Sequence, residues 1–157
     1  MMINDHAYHA QDKPRVLFLC TGNSCRSQMA EGWTRVLQGD LVEVYSAGTV
    51  LASLNQRAVR VMAEVGIDIS GHYPKTIEML DVLDFDLVIT VCDHAAETCP
   101  VFPAKAKVVH RGFPDPPHLT KDMNEEEALM IYRTVRDDMK AFVISELPVW
   151  LASLTGK

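Results

Sequence analysis

The chain has 157 residues, 48% of them hydrophobic, enough to bury one proper core, so a single domain accounts for it. Fifteen Lys and Arg against 21 Asp and Glu leave a formal net charge of −6, which argues against nucleic acid and anionic membranes as partners and requires an anionic substrate to be held by local charge. No apolar run approaches a membrane span and the N-terminus lacks the layout of a secretory signal, so the expectation is a cytoplasmic protein.

Met1 to Lys13 is polar and without periodicity, and reads as a flexible tail even though it carries His6 and His9. The single domain then runs from residue 14 to 157. Val16-Leu17-Phe18-Leu19 is a buried strand, Cys20 to Arg26 a short polar loop, and Ser27 opens a helix through Gln38, with Met29, Ala30, Trp33, Val36 and Leu37 on its apolar face and Gly39 as its stop. Leu41 to Tyr45 is a second strand, closed by Ser46-Ala47-Gly48. A helix from Asn55 to Val65 turns Ala58, Val59, Met62 and Ala63 inward. Ile67 to Lys75 is a loop punctuated by Gly71 and Pro74, and Thr76 is placed to cap a short helix through Leu83.

Leu87 to Val91 is the most strand-like run in the chain and leads into Cys92. Asp93 to Thr98 is compatible with a short helix ended by Cys99-Pro100, and Lys107 to His110 is the fourth strand. The stretch from Arg111 to His118 is a loop too rich in proline for a sheet. A long helix follows from Asn124 to Leu147, with Glu125, Glu126 and Glu127 set against its dipole and Pro148 ending or kinking it. Strands alternating with helices predict an α/β fold with a four-stranded parallel sheet covered on both faces, and in such sheets ligands sit beyond the carboxyl ends of the strands. Cys20, Cys92 and the Asp115 loop all follow strand ends, so one edge of the sheet can hold all three.

The loop from Cys20 to Ser27 carries the first chemistry. Its backbone N–H groups and the start of the following helix favour an oxyanion, and the same field favours the thiolate of Cys20. Thr21, Gly22, Asn23, Ser24 and Cys25 supply the cradle, Arg26 a planar fork for two oxygens, and Ser27 a hydroxyl for the sulfur. Cys20 is then a nucleophile for a tetrahedral oxyanion; the competing reading is a buried structural cysteine.

Cys-Thr-Gly-Asn-Ser-Cys-Arg-Ser-Gln-Met-Ala-Glu-Gly, unbroken from Cys20 to Gly32, resembles the low-molecular-weight tyrosine phosphatase superfamily and, within it, the thioredoxin-coupled arsenate reductases. The similarity continues through Ile67-Asp68-Ile69-Ser70, Cys92 to Pro100 and Gly112 to Pro116. It implies a three-layer fold of the phosphatase type and reduction of arsenate to arsenite, with thioredoxin as the reductant and no cofactor or metal required by the chemistry. Such a protein is expected to be a monomer.

Cys92 and Cys99, seven apart, lie on one face of a continuous helix but roughly 10 Å apart along it, whereas a disulfide tolerates about 7 Å between Cα atoms. If they pair, the segment between them unwinds. The resemblance implies that use: Cys20, Cys92 and Cys99 as a thiol relay. It also implies that Asp115 protonates the leaving oxygen; its plainer reading is a turn aspartate. No role is forced on His94, His110 or His118. Reductases of this kind that bind potassium beside the loop use the residues matching Asn23 and Glu31 and oxygen ligands from the loop after Ile69, where this chain has Tyr73 and Lys75. The expectation is that Lys75 pairs with Glu31 and takes the place of the ion.

Two other functions compete. A phosphatase working through a Cys20 phosphoenzyme needs Cys20, Arg26 and Asp115 but neither Cys92 nor Cys99. The Asp115 loop carries Pro116-Pro117-His118 in place of the paired tyrosines typical of tyrosine phosphatases. A structural zinc site does not fit the cysteine spacings.

Overall fold

The computed structural model describes residues 13–82, 84–93 and 106–155. Strand β1 (Arg15–Cys20) leads into α1 (Arg26–Gln38), then β2 (Glu43–Gly48) and α2 (Gln56–Glu64). A single 3-10 turn (Ile77–Met79) precedes β3 (Leu87–Thr90) and β4 (Lys107–His110). A short α3 (Pro116–Leu119), the long α4 (Glu125–Ser145) and α5 (Leu147–Thr155) close the chain. The strands form one parallel sheet in the order β2-β1-β3-β4, the α/β architecture expected from the sequence.

Val16 to Leu19 are wholly buried because β1 has a strand on each side and is covered on each face, so its apolar run does not alternate. On one face Phe18 meets Phe142 of α4 edge-on at 6.5 Å, and the Trp33 indole of α1 donates to the Arg136 carbonyl of α4 at 3.0 Å. On the other, Tyr45 packs edge-on against Phe85 at 5.4 Å. Residues such as Phe18, Leu17, Ile89 and Phe142, at 0–1% exposure, each contribute roughly 1.5–3 kcal/mol of burial.

Several expected boundaries shift. β2 begins at Glu43 and runs on to Gly48, since each residue pairs in register with β1, from Arg15 with Glu43 to Cys20 with Gly48. Leu41, expected in this strand, is 59% exposed in the turn after α1. Val36 and Leu37 also face solvent, because the last turn of α1 runs past the sheet. In α2 the inward residues are Ala58, Val61 and Met62, so Ala63 is exposed. The helix expected after Thr76 is only the 3-10 turn, since Leu80 is already extended at ψ 139°. Pro116 and Pro117 open a helical turn rather than continuing a loop, since proline fits where N–H groups lack partners. Pro148 sits in the first turn of α5, just past the break at Glu146. Residues 1–12 of the expected tail, the 94–98 segment, His94 and Cys99 lie outside the described residues.

Sheet order positions the site. The chain leaves β1 toward β2 on one side and returns to β3 on the other, which opens a crevice at the carboxyl ends of β1 and β3. Leu19 pairs with Thr90, and Val91 N–H extends the ladder to the Leu19 carbonyl at 2.9 Å. Cys92 therefore arrives beside the loop that starts at Cys20.

Candidate active site

Cys20 ends β1 with 4% of its surface exposed. Its Sγ receives the Asn23 backbone N–H at 3.3 Å and lies 3.0 Å from Ser27 Oγ. The direction of the second contact follows from the neighbours: Asn23 Nδ2 donates to Ser27 Oγ at 2.8 Å, which leaves the hydroxyl proton free to point at the sulfur. Two donors are thus aimed at one sulfur. Asn23 holds φ 54°, a left-handed conformation that asparagine tolerates better than most residues and that turns its N–H inward. No acidic residue occupies the first turn of α1, so the dipole at that end is left for an anion.

Arg26 opens α1. Its Nη1 donates to the Phe113 carbonyl at 3.1 Å, and Nη2 lies 3.5 Å from Asp115 Oδ1. Asp115 stands at the N-cap position of α3 without capping it, so its carboxyl remains available to the site. A cavity of about 290 Å³ opens between them, lined by Cys20, Ser24, Arg26, Asp115 and Pro117. It also touches Cys25, whose thiol is fully buried and pushed up by that burial and by the neighbouring Cys20, so it stays neutral. A tetrahedral oxyanion fits this arrangement, with the Cys20 sulfur, the Arg26 guanidinium and the Asp115 carboxyl lining one cavity.

A second thiol stands at the rim. Cys92 Sγ lies 3.2 Å from Thr21 Oγ1, the residue after the nucleophile. His110 turns to Thr90 Oγ1 (2.8 Å) and Asp93 Oδ1 (3.1 Å), while His118 sits in the short α3.

Residues 15–144 match the family described as low molecular weight phosphotyrosine protein phosphatase. The chain belongs to this family. It is 46% identical over 128 residues to the arsenate reductase of Halalkalibacterium halodurans, covering 82% of this chain and 91% of that one. It is similar to a solved arsenate reductase in its phosphate-binding state, at 32% identity and a TM-score of 0.66 over 83% of this chain and 94% of that chain. It also resembles a thioredoxin-dependent arsenate reductase of Corynebacterium glutamicum, at 26% identity and a TM-score of 0.57 over 90% of this chain and 67% of that chain.

Behind the phosphatase-type loop lies a buried polar cluster. Asn23 Oδ1 accepts from the Lys75 N–H (3.0 Å), Lys75 Nζ (3.4 Å) and Gln28 Nε2 (3.0 Å). Lys75 Nζ also reaches the Tyr73 carbonyl at 3.4 Å and lies 3.9 Å from Glu31 Oε1. Burial pulls the Lys75 ammonium below its ordinary range, and the Glu31 carboxylate opposes that. Arg35 Nη2 holds the other Glu31 oxygen at 2.6 Å.

Two members of this cluster escaped the reading of the sequence. Ser46 accepts from Asn23 Nδ2 at 2.9 Å and donates to Glu31, although in the sequence it closed a strand. Gln28 Nε2 ties the Asn23 carbonyl to the Tyr73 carbonyl, and its Oε1 accepts from His72 Nδ1 (2.9 Å). Its position inside the uninterrupted motif was the available signal.

Proposed function

We propose that this chain is an arsenate reductase working by a thiol relay from Cys20 to Cys92 to Cys99, recharged by thioredoxin in the cytoplasm. The observation that carries it is a second cysteine, Cys92, whose sulfur lies within 3.2 Å of Thr21 at the rim of the oxyanion loop. Phosphate-ester hydrolysis has no use for a second thiol there, whereas a two-electron reduction needs two. The arsenate reductases among its relatives support the same reading.

Arsenate settles on the loop N–H groups with Arg26 against two of its oxygens, and the Cys20 thiolate attacks arsenic. Asp115 gives its proton to the departing oxygen, which leaves as water, and a Cys20–arsenic bond forms. The Cys92 thiolate then attacks Cys20 Sγ. The electron pair of the sulfur–arsenic bond stays on arsenic, which departs as arsenite, and a Cys20–Cys92 disulfide remains. Cys99 attacks Cys92 next, releasing the Cys20 thiolate and leaving a Cys92–Cys99 disulfide for an external dithiol to reduce. Thr21 sits where its hydroxyl stabilises the Cys92 sulfur as attacker.

The test pairs two assays: arsenate-dependent NADPH consumption with thioredoxin and its reductase, and phosphate release from an aryl phosphate. Cys99→Ser should lose thioredoxin-driven turnover and keep aryl phosphate hydrolysis. Survival of both activities refutes the relay. Phosphatase action through Cys20, Arg26 and Asp115 is the second reading, favoured by the family to which residues 15–144 belong.

The oxygens beside Asn23 do not fit a potassium ion, because Lys75 Nζ already occupies their approach and Asn23 Oδ1 accepts three donors. The ammonium supplies the positive charge there instead. Crystals grown in potassium are expected to show no ordered ion between Asn23 and Glu31; an ion there would exclude this role for Lys75.

A further inference from the structure

Phe113 joins the two halves of the site through its backbone. Its N–H donates to the Val91 carbonyl (3.1 Å), one residue before Cys92, and its own carbonyl accepts from Arg26 Nη1 (3.1 Å). Asp115 follows two residues later, 3.5 Å from Arg26 Nη2. One short loop therefore sets both where the guanidinium fork points and where the carboxyl stands.

Pro114, Pro116 and Pro117 have no N–H to anchor that loop. Beyond the Phe113–Val91 hydrogen bond, its restraint comes from Arg111, which folds back over it. Arg111 Nη1 donates to the Gly112 carbonyl at 2.9 Å, and the guanidinium carbon lies 4.5 Å from the Phe113 ring centroid and 5.5 Å from that of Phe142. Nε and Nη2 meet the two Glu146 oxygens at 3.1 and 3.2 Å, a two-point fork just past the end of α4. The Phe113 ring meets Phe142 edge-on at 5.9 Å. A cavity of about 250 Å³ opens beside these groups, between the loop and α4, so close packing does not back the loop on that side. An exposed ion pair alone would restrain little. Here the pair is joined to a cation–π contact on a buried ring.

We propose that Arg111, anchored by Glu146, is a positioning residue for oxyanion binding: it clamps the Phe113–Asp115 loop, and the loop aims Arg26 and Asp115 before the oxyanion arrives. Holding a long side chain on a fixed carbonyl removes part of its ordering cost from the binding step. The effect falls on affinity for the oxyanion, not on Cys20, whose contacts come from Asn23 and Ser27. The proposal rests on the reading of Arg26 as the oxyanion fork.

Titration calorimetry of the full chain with inorganic phosphate tests it. Arg111→Met should raise the phosphate Kd roughly fivefold, the scale of one lost hydrogen-bonded restraint. Arg111→Lys and Glu146→Gln should fall between Arg111→Met and the native chain, since lysine keeps the charge but not the fork. Cys20 alkylation by iodoacetamide at pH 7, without phosphate, should stay within about twofold, because hydrogen bonds to the sulfur are retained. An unchanged Kd overturns the proposal, as does an alkylation rate that falls as far as the Kd rises, which marks general loosening. Arg26→Lys separates the two levels. If it leaves the Kd unchanged, the reading of Arg26 fails and the clamp with it; if it raises the Kd while Arg111→Met does not, the clamp alone fails. Should Arg111→Met not fold, Arg111→Lys and Glu146→Gln carry the same comparison.

Discussion

Around Asn23 each polar atom has an assigned partner, and that assignment reaches the nucleophile. Its amide nitrogen donates to Ser27 and Ser46, its amide oxygen accepts from Gln28 and Lys75, and its backbone N–H points at Cys20. Ser27 is left with one proton and one place to send it. Ser27→Ala removes the hydroxyl donor to the sulfur, and hydrogen bonds to charged groups contribute about 1.5–3 kcal/mol. Alkylation of Cys20 at pH 7 should therefore slow by about tenfold, read from iodoacetamide kinetics, while the melting temperature changes little. An unchanged rate would mean that the 3.0 Å contact does not stabilise the thiolate.

At the scale of elements, β2 supports the loop from behind. Gly48 ends the strand opposite Cys20, and a Cβ there would meet the Thr21 carbonyl oxygen at 2.7 Å and the Asn23 nitrogen and Gly22 carbonyl carbon at 2.8 Å. These are backbone atoms of the oxyanion cradle, which cannot rotate away as a side-chain tip can. Gly48→Ala should displace the loop and lower kcat/KM for arsenate by more than about tenfold, as small misplacements at a reacting centre do. Activity within a factor of two of native would show that the loop yields without cost. The Asn55 N–H adds a second support, donating to the Ser24 carbonyl at 2.9 Å, and its Nδ2 donates to Tyr132 Oη of α4 at 3.0 Å.

Across the whole molecule, the Glu64 carboxylate helps fasten α2 to α4. Glu64 receives Arg133 at 2.9 and 2.7 Å and Arg136 at 2.9 Å, and the Arg133 hydrogen bonds foremost hold its carboxyl down at about 2. A carboxyl depressed in the folded state stabilises it above the ordinary range near 4.5, and that contribution is lost as pH falls toward 2. With solvent screening discounted, Glu64→Gln should cost about 1 kcal/mol at pH 7, or roughly 2–4 °C of melting temperature. The gap between variant and native melting temperatures should narrow by about half between pH 5 and pH 3. A gap independent of pH would show that the charge of Glu64 is not what fastens these helices.

The sequence by itself determined the local structure and the chemical vocabulary. An apolar run, a polar loop holding Cys20, Arg26 and Ser27, and a helical pattern after it specify a strand, an anion loop and a helix, because hydrophobic period and turn chemistry are local properties. They also set four parallel strands in number and type. Tertiary structure decided the rest. That Cys92 stands beside Thr21 depends on β3 pairing with β1 rather than β4 alone, and pairing between distant segments leaves no local trace. The extent of β2, the partners of Ser46 and Gln28, and the seating of Lys75 against Asn23 follow from the same cause. Each is a contact between segments far apart in the chain, fixed only when the sheet closes and its buried polar groups must find one another.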